Sequence, residues 1–328
     1  MEAPLVCPAC SEVLAWLQWA KAVRQVDGKT PLFINMDETS VAFSFAKVAG
    51  LRITKRALPP GKRHKKQKVS HADERAHISL LAFLTNLSEV QPKLPQVFLC
   101  NEKLAPLKLM KELGPHIPEN YHVIRGKSSW NSHAMMRKVI CILAKSLESY
   151  MADYQVILIL DVARCHFDKS ISKLATSKGI RLLYVPAKLT SLLQPADTYC
   201  FSRLKDKLRK KWVELRSKSS TGCISHKDWL CAVFGILKSL LNGTKWAPAF
   251  KAAGLLDEAQ LSHRIMSKLG WEAPKAIPHV LPSAQQLKVV FPGRTRFSTA
   301  PLFSWAKPKA MAKAKAMAMP AHDAPMLS

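Results

Sequence analysis

Residues 154–161 read YQVILILD, five consecutive apolar residues (Val156 to Leu160) closed by Asp161. An apolar run without alternation, rich in β-branched residues, predicts a strand buried on both faces, as a central parallel strand is. A carboxylate directly after such a strand is costly unless a partner takes its charge. Outward from this strand the pattern is helical on both sides. Ser128 to about Tyr150 carries Met135, Val139, Ile142, Leu143 and Leu147 as a core-facing stripe. Lys169 to Ser177 predicts a second helix that stops at Gly179, and Arg181 to Val185 (RLLYV) the next strand.

Further out, Pro31 to Met36 (PLFINM) reads as a buried strand and Val41 to Phe45 as its hairpin partner. His77 to Thr85 and Gln96 to Cys100 add two more strands. A long helix is predicted from Pro195, near its first turn, to Lys218, and others over Lys227–Leu241 and Leu256–Leu269. Strands first, then alternating strands and helices, predict an α/β fold: a mixed sheet flanked by helices. The expected organisation is a leader over 1–27 that could be helical from Ser11 to Val26, a main domain over 28–218 and a helical extension over 219–272. A tail over 273–328 turns Pro-rich and then becomes a Lys/Ala/Met low-complexity segment, expected to be disordered and basic.

The 328 residues hold 50 Lys+Arg against 23 Asp+Glu, a formal charge of +27. With 48% hydrophobic residues the chain can build a core, which excludes disorder throughout. No stretch approaches the ~20 apolar residues of a membrane span, and the start lacks the pattern of a secretory signal. Such a charge calls for a polyanionic partner, most simply nucleic acid. Nine Lys/Arg against two Asp/Glu fall between Leu51 and Arg75, among them Lys62, Arg63, Lys65 and Lys66. This basic ribbon suits a DNA-gripping hairpin or a nuclear-import signal, and a nuclear location is expected. Arg203, Lys205 and Lys207 stand on the predicted long helix as a phosphate-tracking stripe or a plain solvated face. Cys7-Pro8-Ala9-Cys10 is a lone C-x-x-C without a second ligand pair, so ordinary reduced thiols are expected rather than zinc.

The acids are few, and three stand at the ends of predicted strands or at a strand-to-helix turn: Asp37, Asp161 and Asp197. A helix cap is the plain reading of one such residue. For three in one sheet a shared cation is the better reading, since Mg²⁺ takes oxygen ligands and a few carboxylates. Two such ions about 4 Å apart can activate a water or a 3′-hydroxyl and stabilise the leaving oxygen of a phosphodiester.

Three blocks carry a family resemblance: Asn35-Met36-Asp37-Glu38-Thr39-Ser40, Ile157 to His166 (ILILDVARCH), and Val185 to Asp197 (VPAKLTSLLQPAD), the last followed by Phe201 and Lys205. They resemble the N-M-D-E-T, L-L-D-N-A-x-x-H and P-x-x-T-S-x-x-Q-P-x-D segments of the DDE superfamily endonucleases of the mariner superfamily, closest to the pogo/Tigger and jerky, CENP-B-like type. Trp130 is similar to a tryptophan that often opens the helix before the second block. The match covers about Pro31 to Lys211, with 35 residues between Asp161 and Asp197. The resemblance implies an RNase H-like fold, with Asp37, Asp161 and Asp197 as a metal-binding catalytic triad for two Mg²⁺ or Mn²⁺ ions. It also implies DNA as partner, with a homodimer open to the chain.

Two departures bear on activity. Only 36 residues precede Asp37, fewer than a helix-turn-helix module and linker need, so terminal-repeat recognition is not expected of this sequence. Val162 stands where the family usually has asparagine and offers no side-chain hydrogen bond. Beside the triad, Glu38 points away from Asp37 if the strand continues. His166 either orients Asp161 or touches phosphate, or else caps the following helix. Gln194 shapes the turn that presents Asp197, and Lys188 lies in a loop facing the same sheet edge. The functional expectation is a transposase-derived endonuclease with strand-transfer chemistry. The alternative is a non-catalytic DNA-binding relic or domesticated derivative.

Overall fold

The structure is a computed structural model that describes residues 8–24, 28–42, 77–187, 189–220, 223–256 and 263–270. Its elements in chain order are α1 (Pro8–Arg24), β1 (Thr30–Ala42), β2 (His77–Thr85), β3 (Gln96–Asn101), α2 (Leu107–Leu113), β4 (Tyr121–Gly126), α3 (His133–Ser146), β5 (Tyr154–Asp161), α4 (Lys169–Ser177), β6 (Arg181–Val185), α5 (Thr190–Leu193), α6 (Phe201–Lys218), α7 (His226–Gly243), α8 (Ala247–Ala252) and α9 (His263–Leu269). The strands form one six-stranded sheet in the order β4-β3-β2-β1-β5-β6. β5 is parallel to β1 and to β6, β3 is antiparallel to β2, and β3 is parallel to β4. The mixed α/β sheet expected from the sequence is therefore observed. The basic ribbon with Lys62, Arg63, Lys65 and Lys66, the residue Lys188 and the tail over 273–328 lie outside the described residues.

The chain packs as two compact units, residues 1–35, 133–195 and 247–328 in one and residues 36–132 and 196–246 in the other. In the first, β5 is the deepest element, with Val156 to Leu160 all at 0% exposure. It pairs with β1 from Thr30↔Tyr154 to Asn35↔Ile159 and with β6 up to Asp161↔Val185. The segment expected as a leader supplies core here. Trp16 and Trp19 of α1 are fully buried, and the Trp16 indole Nε1–H donates to the Tyr184 carbonyl at 2.9 Å. Each such ring removes roughly 150–250 Å² from water, worth about 4–6 kcal/mol as an upper bound. Arg24 and Arg181 tie the end of α1 down by donating to the carbonyls of Leu255 and Val23, each at 2.7 Å. Gly254, at φ +77°, closes the turn after α8, where a Cβ would meet Leu17 at 2.8 Å.

In the second unit α7 carries the core face. Trp229, Leu230, Val233, Phe234, Leu237, Leu240 and Leu241 are buried, and Phe234 meets Phe98 of β3 edge-on at 5.2 Å. Trp229 Nε1–H donates to the Ala42 carbonyl at 3.0 Å. Ser225 caps the helix by accepting the Asp228 N–H at 3.0 Å. α7 thus belongs to the same unit as β2, β3 and β4.

Several local expectations are corrected. Val41 and Ala42 continue β1 instead of opening a hairpin partner, because the burial alternation runs on through Glu38, Thr39, Ser40 and Val41. The polar quartet Asp37 to Ser40 masked that alternation in the sequence. α3 begins at His133 rather than Ser128. The long helix expected from Pro195 to Lys218 is observed, with Ala196–Cys200 wound as one π turn ahead of α6. β4, α2 and α8 are short and carried no periodic signal.

Candidate active site

Asp161 is the last residue of β5, and the loop after it folds back onto its carboxylate. The Ala163 N–H donates to Asp161 Oδ1 at 3.1 Å, and His166 Nδ1–H donates to the same oxygen. The backbone makes this possible: the Ala163 carbonyl accepts the N–H groups of His166 at 3.0 Å and Phe167 at 2.9 Å, which turns the imidazole inward. The Tyr184 hydroxyl of β6 then donates to the His166 carbonyl at 3.1 Å. The His166 side chain is 3% exposed and that of Asp161 33% exposed.

Charge follows from this geometry. Burial pushes the Asp161 carboxyl up, but the hydrogen bond and charge of His166 and the Ala163 N–H outweigh it and hold the pKa below the ordinary value. Burial alone would lower His166. Hydrogen bonds to Asp161 and Cys165, with the negative charge of Asp161, override it and push the imidazole up to about 10. The pair is a carboxylate and an imidazolium at neutral pH. His166 therefore orients Asp161. The cap of α4 is Asp168, whose Oδ1 accepts the Ser170 N–H at 2.8 Å. Asp161 Oδ2 receives no hydrogen bond among the described residues, and the side chain is partly exposed.

In the other unit, Asp37 is 8% exposed within β1, and its Oδ1 accepts the Glu38 N–H at 2.8 Å. Glu38 is half-buried on the opposite face of the strand, as alternation requires. Asp197 is exposed on one turn of π-helix, Ala196–Cys200, that leads into α6. Such single π turns are rare and recur at functional positions. The thiol of Cys200 on the same turn is pushed up to about 12, by burial first, with Asp37 adding repulsion and Arg203 opposing it. Asp37 and the turn that carries Asp197 are thus electrostatic neighbours. Sequence reasoning did not find Cys200 or Tyr184; the only signal for the first is its place three residues after Asp197.

Gln194 is fully buried, and its N–H closes the short helix α5 on Thr190 at 2.9 Å. On α6, Phe201, Leu204, Leu208 and Trp212 are buried and Arg203, Lys205 and Lys207 are exposed. Lys207, Lys210 and Lys211 line a groove whose other wall is Ala232, Gly235, Ile236 and Ser239 of α7. Trp130 stands in the loop before α3, at 71% exposure. The three aspartates offer oxygen donors, the chemistry that suits Mg²⁺ or Mn²⁺. Among the described residues no group of three His, Cys, Asp or Glu is gathered closely enough to hold an ion.

Part of the chain is similar to a known family. Residues 104–237 match the DDE superfamily endonuclease family. That match contains Asp161 and Asp197 and leaves Asp37 outside it. Among solved structures, the chain is similar to the Mos1 transposase paired-end complex with left transposon end, at 12% identity and a TM-score of 0.37. That likeness covers 77% of this chain and 65% of the other. No curated protein matches the chain.

Proposed function

We propose that the chain is a transposase-type nuclease of the mariner kind, built on an RNase H-like sheet, that cuts DNA phosphodiesters and transfers the freed strand. Asp37, Asp161 and Asp197 are its metal ligands. The observation that carries this reading is the preset carboxylate of Asp161. A buried imidazolium and a backbone N–H fix its Oδ1, and the side chain stays partly exposed, inside the segment that matches the endonuclease family. Two divalent ions, Mg²⁺ or Mn²⁺, would polarise the attacking oxygen and stabilise the leaving one. The chain's own residues do the rest. His166 keeps Asp161 ionised and in one orientation. Exposed Arg203, Lys205 and Lys207 attract the phosphate backbone, and the +27 charge raises the local concentration of DNA. The reading carries with it a nuclear location, where Lys62, Arg63, Lys65 and Lys66 serve import or DNA contact. It also carries a role for Lys188 at the phosphate and assembly as a homodimer.

The test is nicking of supercoiled plasmid in Mn²⁺, read beside Mn²⁺ binding followed by its electron spin resonance. Wild-type nicking that vanishes in Asp161→Ala, with loss of bound Mn²⁺, supports the proposal. Equal nicking by both chains sinks it. A second reading, DNA binding without catalysis, is favoured by Val162, whose side chain offers no hydrogen bond. It expects salt-sensitive DNA binding that persists in Asp37→Ala without divalent metal.

A further inference from the structure

Trp130 stands apart from the other described tryptophans. The other described tryptophans, Trp16, Trp19, Trp212, Trp229 and Trp246, are at most 6% exposed, whereas Trp130 is 71% exposed. Leaving an indole in water forgoes several kcal/mol of burial, and nothing in the local chain forces it outward. The loop that carries it is held firmly. Asn101 Nδ2–H donates to the Lys127 carbonyl at 2.8 Å, the Glu102 N–H donates to the Gly126 carbonyl at 2.9 Å, and the adjacent Ser129 is buried. The ring itself is braced by His77 at the start of β2, in a T-shaped contact at 6.1 Å and 80°. It is therefore an oriented aromatic surface presented to solvent.

Its surroundings are polar. Lys127, Ser128 and Ser132 are exposed and Asn131 is half-buried. The centre of a protein interface is depleted of charge and rich in apolar neighbours. A nucleobase needs only a π face beside a cation for its phosphate. We propose that Trp130 is a stacking platform for an unpaired base of the DNA substrate, with Lys127 meeting the attached phosphate. This rests on the DNA-processing reading above and names the part of the substrate bound here: a base outside the duplex, at a nick, flap or strand end.

The experiment measures binding of the full chain by fluorescence anisotropy, without divalent metal, to a blunt duplex and to the same duplex bearing a single-stranded end. Trp130→Ala is expected to weaken binding to the second DNA by about 5- to 100-fold and to leave blunt-duplex binding within about twofold. Trp130→Phe recovers most of the loss, and the thermal midpoint stays put. Unchanged affinity for the single-stranded end, or an equal loss on both DNAs, overturns the proposal. A chain that nicks nothing yet shows this selective loss removes the nuclease reading and leaves the stacking site standing. Asp161-dependent nicking with no effect of Trp130→Ala does the reverse.

Discussion

Asp161 and Asp197 stand in neighbouring motif blocks, yet the fold treats them in opposite ways. Asp161 is half-buried and compensated: an N–H and a buried imidazolium hold one oxygen, and the imidazolium's own backbone is held by Tyr184. Asp197 is exposed, and among the described residues only the backbone of its π turn fixes it, between buried Ala196 and Cys200. The difference shows that placing a carboxylate and stabilising it are separate tasks. At Asp161 the side-chain network does both. At Asp197 the turn does the first and water does the second. Substitution at Asp161 should therefore cost fold and chemistry together, and substitution at Asp197 chemistry alone.

The largest expected effect tests what the two share. On the proposed nuclease reading, Asp161→Asn and Asp197→Asn should each drop plasmid nicking in Mn²⁺ below detection, because each would remove a charged oxygen ligand. Residual nicking in one of them would mark that aspartate as dispensable and break the pairing. Next in size is His166→Ala. Loss of a residue that orients a ligand typically costs about 10- to 100-fold in metal affinity or activity. It also leaves Asp161 without its strongest donor, at about 1–3 kcal/mol of stability. A lower Mn²⁺ affinity and a lower thermal midpoint together are the expected result. A lower midpoint with unchanged Mn²⁺ affinity would make His166 structural only.

The same pair predicts a pH window, read as the thermal midpoint in excess chelator. His166 has its folded pKa raised to about 10, so its contribution is complete below its unfolded value of about 6.5 and is lost as pH rises toward 10. Asp161 has its folded pKa lowered, so its contribution is present above about 3.9 and is lost as pH falls below that. Stability from the pair should thus be greatest between about pH 4 and 6.5 and decline through the alkaline range. In His166→Ala the alkaline decline should shrink. An unchanged profile would mean that the imidazole is not the titrating partner.

Legibility in the sequence divides along similar lines. β5, α4 and β6 were readable to within a residue, because a continuous apolar run and a strongly amphipathic nine-residue helix leave few alternatives. The three aspartates were visible as acids at strand and turn positions in a basic chain. The role of His166 was not, since its choice between orienting Asp161 and capping α4 depends on how the loop closes on the Ala163 carbonyl. β4 was missed because its mostly half-buried residues show neither alternation nor a full apolar run. The leader was undervalued because two tryptophans of α1 find their partner some 168 residues downstream, as the Trp16 bond to Tyr184 shows. No local pattern encodes that.

The smallest predicted effect is the sharpest test of the contrast. Asp197→Asn should change unfolding free energy by no more than about 0.5 kcal/mol, the usual range for an exposed side chain away from caps and cores. Asp161→Asn should lose more, because an amide cannot neutralise the buried imidazolium. The measurement is a pair of urea titrations in chelator, with slopes compared so that a change in midpoint reports stability alone. Asn is the right replacement because it keeps the shape of the side chain, so a loss at Asp197 could not be blamed on packing. If Asp197→Asn destabilised as much as Asp161→Asn, the carboxylate would be helping to hold the π turn in place. A turn that unwound with it would carry Cys200 away from Asp37, and the turn could no longer count as a rigid mount for the third carboxylate.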